Sequence, residues 1–232
     1  MKKLGIIGGM GSQATQLFYK SIIEKTDAKC DQEHIDMIIL NHASMPDRTA
    51  SILSGETEEI LKLLTEDAKM LENCGATAIA IPCNTSHYFW EDIQKSVNIP
   101  VINMVRETIG YIKERNPEIK KIGVLATDGT VKSGIYKKEC EALDTECVTP
   151  SEDIQKLVTK IIYDQVKKGE EGSMEDFRKI DHYMKSEGCE VLIMACTELS
   201  CFKYYHNLGG YYVDAMDVLT EKSIISCGGK LK

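Results

Sequence analysis

The sequence predicts an α/β fold of two related lobes built on parallel sheets, and three observations carry that prediction. Two apolar runs each end in a thiol followed by hydrogen-bonding side chains: Ala78–Phe89 reads AIAIPCNTSHYF, and Glu190–Phe202 reads EVLIMACTELSCF. A buried strand that delivers a polar cluster to its carboxyl end reads this way, and in an open α/β sheet that end faces the ligand crevice. The chain also starts again near its middle, since Ile122–Asp128, IGVLATD, resembles Leu4–Met10, LGIIGGM, as a strand plus a small turn. Finally, 74 residues separate Gly9 from Cys83 and 69 separate Thr127 from Cys196. A weak repeat spaced at half the chain points to two lobes and not to a solenoid. If those lobes face each other across a pseudo-twofold axis, Cys83 and Cys196 point at one another.

In chain order, Leu4–Ile7 reads as the first strand, feeding a glycine turn and a helix through about Glu24. Gly9-x-Gly11-x-x-Ala14 matches the dinucleotide fingerprint, whose glycines let backbone amides approach an anion at a helix N-terminus. A nucleotide site also wants an acidic residue ending the second strand, and Ile35–Leu40 ends in Asn41-His42. Asn41–Thr49 reads as a loop in which Pro46 disfavours a helix before it. Arg48 there has an ordinary reading, a solvated cation paired with Asp47, and a functional one, a guanidinium fork for a carboxylate. Thr57–Asn73 shows helical spacing, with Gly75 placed to close the helix. The strand carrying Cys83 follows, then a helix through about Ser96, then the run Val101–Val105 leading into a helix that ends near Asn116-Pro117. In the second half, helices are expected over Ser133–Leu143, Ile154–Val166 and Met174–Ser186, and Tyr211–Cys227 offers one more strand and helix. The expected division is 1–100 with 211–232 in the first lobe and 101–210 in the second.

Composition bounds the partners. The 232 residues are enough for a substantial core, and 43% hydrophobic with 28% charged residues is ordinary for a globular protein. A net charge of -8 without a dense Lys/Arg run argues against nucleic acid or an anionic membrane as partner. It leaves an acidic small molecule open, because a few local cations can dominate a pocket. No apolar stretch approaches the ~20 residues of a membrane helix. Gly5, Gly8 and Gly9 break the amino-terminal apolar run. The expected location is the cytoplasm. Nine cysteines with no CxxC spacing fit a reducing compartment, with core or reactive thiols and no zinc site.

Two facing thiols suit a particular chemistry. Inverting a carbon centre requires a base on one face and an acid on the other, and a thiol near its pKa of ~8.5 can serve as either. Asn84, Thr85 and Thr197 follow the cysteines and can hydrogen-bond a thiolate or a carboxylate. A Cys83-His87 dyad is the competing arrangement, although a base four residues along a helix has poor reach back to the thiol.

These residues carry a resemblance. GIIGGMG with Ala14-Thr15, PDRT at Pro46–Thr49, PCNT at Pro82–Thr85, LATDGT at Leu125–Thr130 and ACTEL at Ala195–Leu199 together resemble the aspartate/glutamate racemase family, closest to its aspartate racemases. The resemblance implies two Rossmann-like lobes, a site in the cleft between them, a homodimer, and catalysis with neither pyridoxal nor metal. It implies Cys83 and Cys196 as the paired acid and base. Met10, Asn84, Thr85, Thr127 and Thr197 would surround the α-carboxylate and α-amino group of the amino acid, while Arg48 and Lys167 would hold its side-chain carboxylate. Ser12 and the stretch Asn41-His42-Ala43-Ser44 depart from the usual pattern, which leaves aspartate and glutamate both open. The alternatives are a non-catalytic amino-acid-binding protein, which needs no paired thiols, and an NAD-binding oxidoreductase.

Overall fold

The computed structural model describes residues 2–232 and holds two parallel sheets. In the first, β1 (Lys3–Gly8) lies between β2 (Asp36–Asn41) and β3 (Ala78–Ala80), and Val101 adds a single parallel bridge outside β3 through Ile79. In the second, β4 (Lys121–Leu125) lies between β5 (Glu146–Val148) and β6 (Val191–Met194), with β7 (Tyr212–Asp214) outside β6. Both sheets run second strand, first, third, fourth. The repeat read in the sequence is therefore the repeat of their two central strands.

Eleven α-helices are present among the described residues. The first half holds α1 (Ser12–Lys25), α2 (Arg48–Ser54), α3 (Glu58–Asn73), α4 (Trp90–Ser96) and α5 (Met104–Arg115). The second holds α6 (Asp128–Ser133), α7 (Ile135–Glu141), α8 (Glu152–Thr159), α9 (Met174–Ser186), α10 (Thr197–His206) and α11 (Ala215–Ser226). None is long and apolar enough to cross a membrane.

The central strands use glycine in the same way. A Cβ at Gly5 would meet Leu71 Cδ1 at 3.0 Å, and one at Gly123 would meet Met184 Cε at 2.8 Å. The missing side chains let α3 and α9 press onto their sheets. On the opposite faces, Leu4 and Ile6 of β1 and Ile122 and Val124 of β4 join one apolar cluster shared by both lobes, completed by α5 and α11. Those two helices pack on each other; α5 also meets α7 of the second half, and α11 meets α1 of the first. The carboxy-terminal segment therefore divides. Its strand pairs with β6 in the second sheet, while its helix lies on α1.

Other expectations shift at their edges for local reasons. The helix expected over Ser133–Leu143 is two helices, because Gly134 takes a left-handed conformation at φ 68 and ends α6. The start of α6 is set by Thr127, whose side chain accepts from Thr130 N. Arg48 is not in a loop: it opens α2, which Asp47 caps by accepting from Ala50 N at 2.9 Å. The helix expected over Ile154–Val166 begins at Glu152, widens to π-helical geometry over Lys160–Gln165 and tightens to a 3-10 turn at Val166–Lys168.

Candidate active site

The two sheets bring their carboxyl ends to one small cavity. Cys83 enters it three residues beyond β3, and Cys196 enters it two beyond β6, at the N-cap of α10. Each exposes only 6% of its surface. Met10, Arg48, Asn84, Thr85, Thr127, Lys167 and Thr197 line the same cavity, so all nine residues singled out from sequence converge. Asp47, Thr49, Tyr163 and Glu198 line it as well.

The Cys83 side is cationic. Arg48 is 9% exposed and is held by the carbonyls of Pro46, at 2.9 Å from Nη1, and of Met10, at 3.2 Å from Nη2. Burial opposes its charge, but Cys83 and Asp47 beside it win, and the guanidinium is held above its usual range. Its buried Nε has no partner among the described residues, and neither has Asn84 Nδ2. Buried donors normally find partners, so two idle ones in residues lining a cavity are suited to an anionic guest. The orientation of Asn84 is set from the other lobe: the Tyr136 hydroxyl donates to Asn84 Oδ1 at 2.5 Å. Burial and then Asp214 push the Tyr136 phenol well up, keeping it a donor. The amide nitrogen of Asn84 is left for the cavity.

The Cys196 side is anionic. Cys196 Sγ donates to Glu198 Oε2 at 2.8 Å. Its thiol is pushed well above the usual range by burial first, then by the charge and hydrogen bond of Glu198; the backbone at Glu198 and the Lys167 ammonium pull the other way. Lys167 Nζ lies 4.0 Å from Glu198 Oε1, 3.7 Å from Asp47 Oδ2 and 4.1 Å from the centre of the Tyr163 ring. The π-helical turn before it fixes this register, turning Lys167 inward while Lys168 pairs with Asp164 outside. Between the two sides, the hydroxyls of Thr85, Thr127 and Thr130 form a triangle with edges of 2.8 to 3.2 Å that spans the lobes.

The alternative Cys83-His87 dyad is not formed. His87 Nδ1 bonds the Cys83 carbonyl oxygen at 2.9 Å, and its Nε2 accepts from Met104 N at 3.0 Å. Burial lowers its pKa, so the imidazole is neutral and acts as a strut beneath the thiol loop. His42 likewise turns away, with Nδ1 2.8 Å from Asp67 Oδ2. Its backbone leaves no room for a Cβ at Gly9, which would come within 2.5 Å of it at φ +91. Of the other cysteines, Cys30 and Cys74 are exposed, and Cys201, further along α10, is pushed up to about 12 by burial.

Four lining residues were not singled out from the sequence. Glu198 lies within the ACTEL motif, whose pattern marks the strand end but gives its carboxylate no task. Asp47, which the sequence pairs with Arg48, acts on that guanidinium and also faces Lys167 at 3.7 Å. Tyr163 falls in a stretch whose apolar spacing reads as plain helix, and Thr49 reads only as the end of its motif.

A model of the Asp/Glu/Hydantoin racemase family matches residues 7–222. The chain belongs to this family. Its family relatives include the broad specificity amino-acid racemase RacX of Bacillus subtilis, 29% identical over 201 residues that span 85% of this chain and 86% of the relative. Among solved structures, the aspartate racemase of Picrophilus torridus is 29% identical with a TM-score of 0.84, covering 100% of this chain and 96% of that one. An aspartate racemase homologue from Pyrococcus horikoshii is 29% identical with a TM-score of 0.79, covering 98% and 100%. The two parallel sheets are the two-domain fold of these racemases.

Proposed function

We propose that this member of the racemase family interconverts L- and D-aspartate, without pyridoxal, by two-base proton transfer between Cys83 and Cys196. The observation that carries the reading is the pair of strand-end thiols sharing one cavity with partners of opposite charge, Arg48 for one and Glu198 for the other. With its thiol held up by burial and Glu198, Cys196 is the proton donor in the resting site, and Cys83 is the base. Cys83 removes the α-proton, a carbanion forms, and Cys196 delivers its proton to the opposite face. For the other enantiomer the roles reverse.

Carbanion formation next to a carboxylate is costly, and fixed donors and cations lower that cost without reorganising. The idle Asn84 Nδ2 and the hydroxyls of Thr85, Thr127 and Thr197 supply donors for the substrate's α-carboxylate, and the same hydroxyl oxygens can accept from its α-amino group; Arg48, with its idle Nε, and Lys167 supply cations for its side-chain carboxylate. A wider substrate range is the second reading. It is favoured by Asp47 and Glu198, which balance the two cations within the cavity and leave it less selective for a dianion.

The test is proton NMR of the protein with L-aspartate in deuterated buffer, with no pyridoxal added, followed by chiral chromatography. Loss of the α-proton signal together with appearance of D-aspartate is expected. Exchange of L-glutamate or neutral amino acids at comparable rates would select the wider reading. If no amino acid exchanged its α-proton with thiols reduced, the racemase reading would fall to an amino-acid-binding role.

A further inference from the structure

Glu198 touches the inner thiol and also looks outward. Its Oε2 receives the Cys196 thiol at 2.8 Å inside the small cavity. The same residue lines a larger space beyond, together with Gly11, Ser12, Gln13 and Lys167. Neither Cys83 nor Cys196 lines that outer space. The carboxylate is held at the boundary by Lys167, 4.0 Å from its Oε1, and a Cβ built on Gly11 would lie 3.9 Å from the same oxygen.

Two-base racemisation leaves a task that substrate contacts do not perform. Each turnover takes a proton from one thiol and places one on the other, so product departs from a site whose cysteines are in the reverse protonation state. Before the same enantiomer can react again, Cys196 must regain a proton and Cys83 must lose one. Cys196 is 6% exposed and does not line the outer space, whereas the carboxylate it bonds at 2.8 Å does.

We propose, resting on the two-cysteine reading, that Glu198 is the proton relay that resets Cys196 between turnovers. Its carboxylate takes a proton from solvent in the outer space. The resulting acid passes that proton to the Cys196 thiolate: the O–H bond breaks, the S–H bond forms, and Glu198 returns to carboxylate. In the opposite direction the Cys196 thiol gives its proton to Glu198, which releases it outward. The proton shed by Cys83 passes to solvent once product has left, so charge balances over the cycle. Glu198 acts on the reacting sulfur and not on the substrate.

The experiment separates kcat from kcat/KM for racemisation by the wild-type chain, Glu198→Gln and Glu198→Ala. Slow resetting limits successive turnovers above all, so Glu198→Gln is expected to lose kcat by about 10²-fold, the usual reach of one acid-base group, and to lose kcat well beyond any fall in kcat/KM. Added formate, a small carboxylic acid, is expected to restore kcat to Glu198→Ala, which has space for it, and not to Glu198→Gln. An unchanged kcat in Glu198→Gln would overturn the relay. So would equal falls in kcat and kcat/KM with no formate rescue, the signature of a structural role. A wild-type chain that racemises no amino acid fails the two-cysteine reading itself, and the relay with it.

Discussion

Cys83 and Cys196 stand at matching points of two sheets that share a strand order, each just beyond the third strand and each 6% exposed. Their surroundings do not match. Cys83 precedes a 3-10 turn and has the Arg48 guanidinium beside it, whereas Cys196 caps an α-helix and donates to a carboxylate. From helix position alone, Cys196 is the thiol expected to ionise, since a helix N-terminus stabilises an anion by about 0.3–1 kcal/mol. Burial together with a carboxylate at 2.8 Å outweighs that, and the thiol is pushed up. A duplicated fold thus supplies two equivalent positions, and single side chains set the charge at each.

The comparison breaks most visibly if either thiol is removed. Cys83→Ala and Cys196→Ala are each expected to lower racemisation by at least about 10⁴-fold, read by chiral chromatography. Near-normal turnover in both directions by either variant would mean that only one cysteine is needed. Arg48→Lys comes next. It keeps the charge but loses the fork held by Pro46 and Met10, and a fall of about 10²-fold in kcat/KM is expected, the scale of one lost preorganised donor.

Glu198→Gln sharpens the comparison at Cys196. Removing the carboxylate removes the second-largest cause of the raised thiol pKa, so alkylation of Cys196, followed by mass spectrometry against pH, is expected to begin at lower pH than in wild type. No change would show that burial alone holds the thiol up. Smaller effects are expected where the lobes touch. A Cβ at Gly129 of α6 would come within 2.7 Å of Thr49 Cα in α2, so Gly129→Ala is expected to cost about 1–3 kcal/mol in urea unfolding. Tyr136→Phe strips Asn84 Oδ1 of its donor; a similar stability loss and a raised KM are expected.

The parts of this arrangement that were legible in the sequence are those written in local pattern. Apolar runs ending in PCNT and ACTEL located both strand ends, and the LGII and IGVL starts located both central strands. What was not legible depends on geometry that periodicity does not encode. The widened turn at Lys160–Gln165 brings Tyr163 to the cavity, and it supplies the physical reason that Lys167, marked by family resemblance and not by periodicity, turns inward. Tyr136 reaches Asn84 only because α7 of one half packs close to the thiol loop of the other. His87 has the spacing of a dyad partner and serves the backbone of Cys83 instead, since the 3-10 turn places its ring under the loop. The three-residue β5 and the short α2 had too little pattern to stand out before they were paired or capped.

The central claim is that the two thiols serve opposite faces of one carbon. It is tested most directly by following α-proton exchange of L- and D-aspartate separately in deuterated buffer with Cys83→Ser and Cys196→Ser. Each variant keeps one thiol and is expected to exchange the α-proton of one enantiomer only, without inversion, and the two variants are expected to choose opposite enantiomers. Exchange of the same enantiomer by both variants, or racemisation by either, would contradict the account.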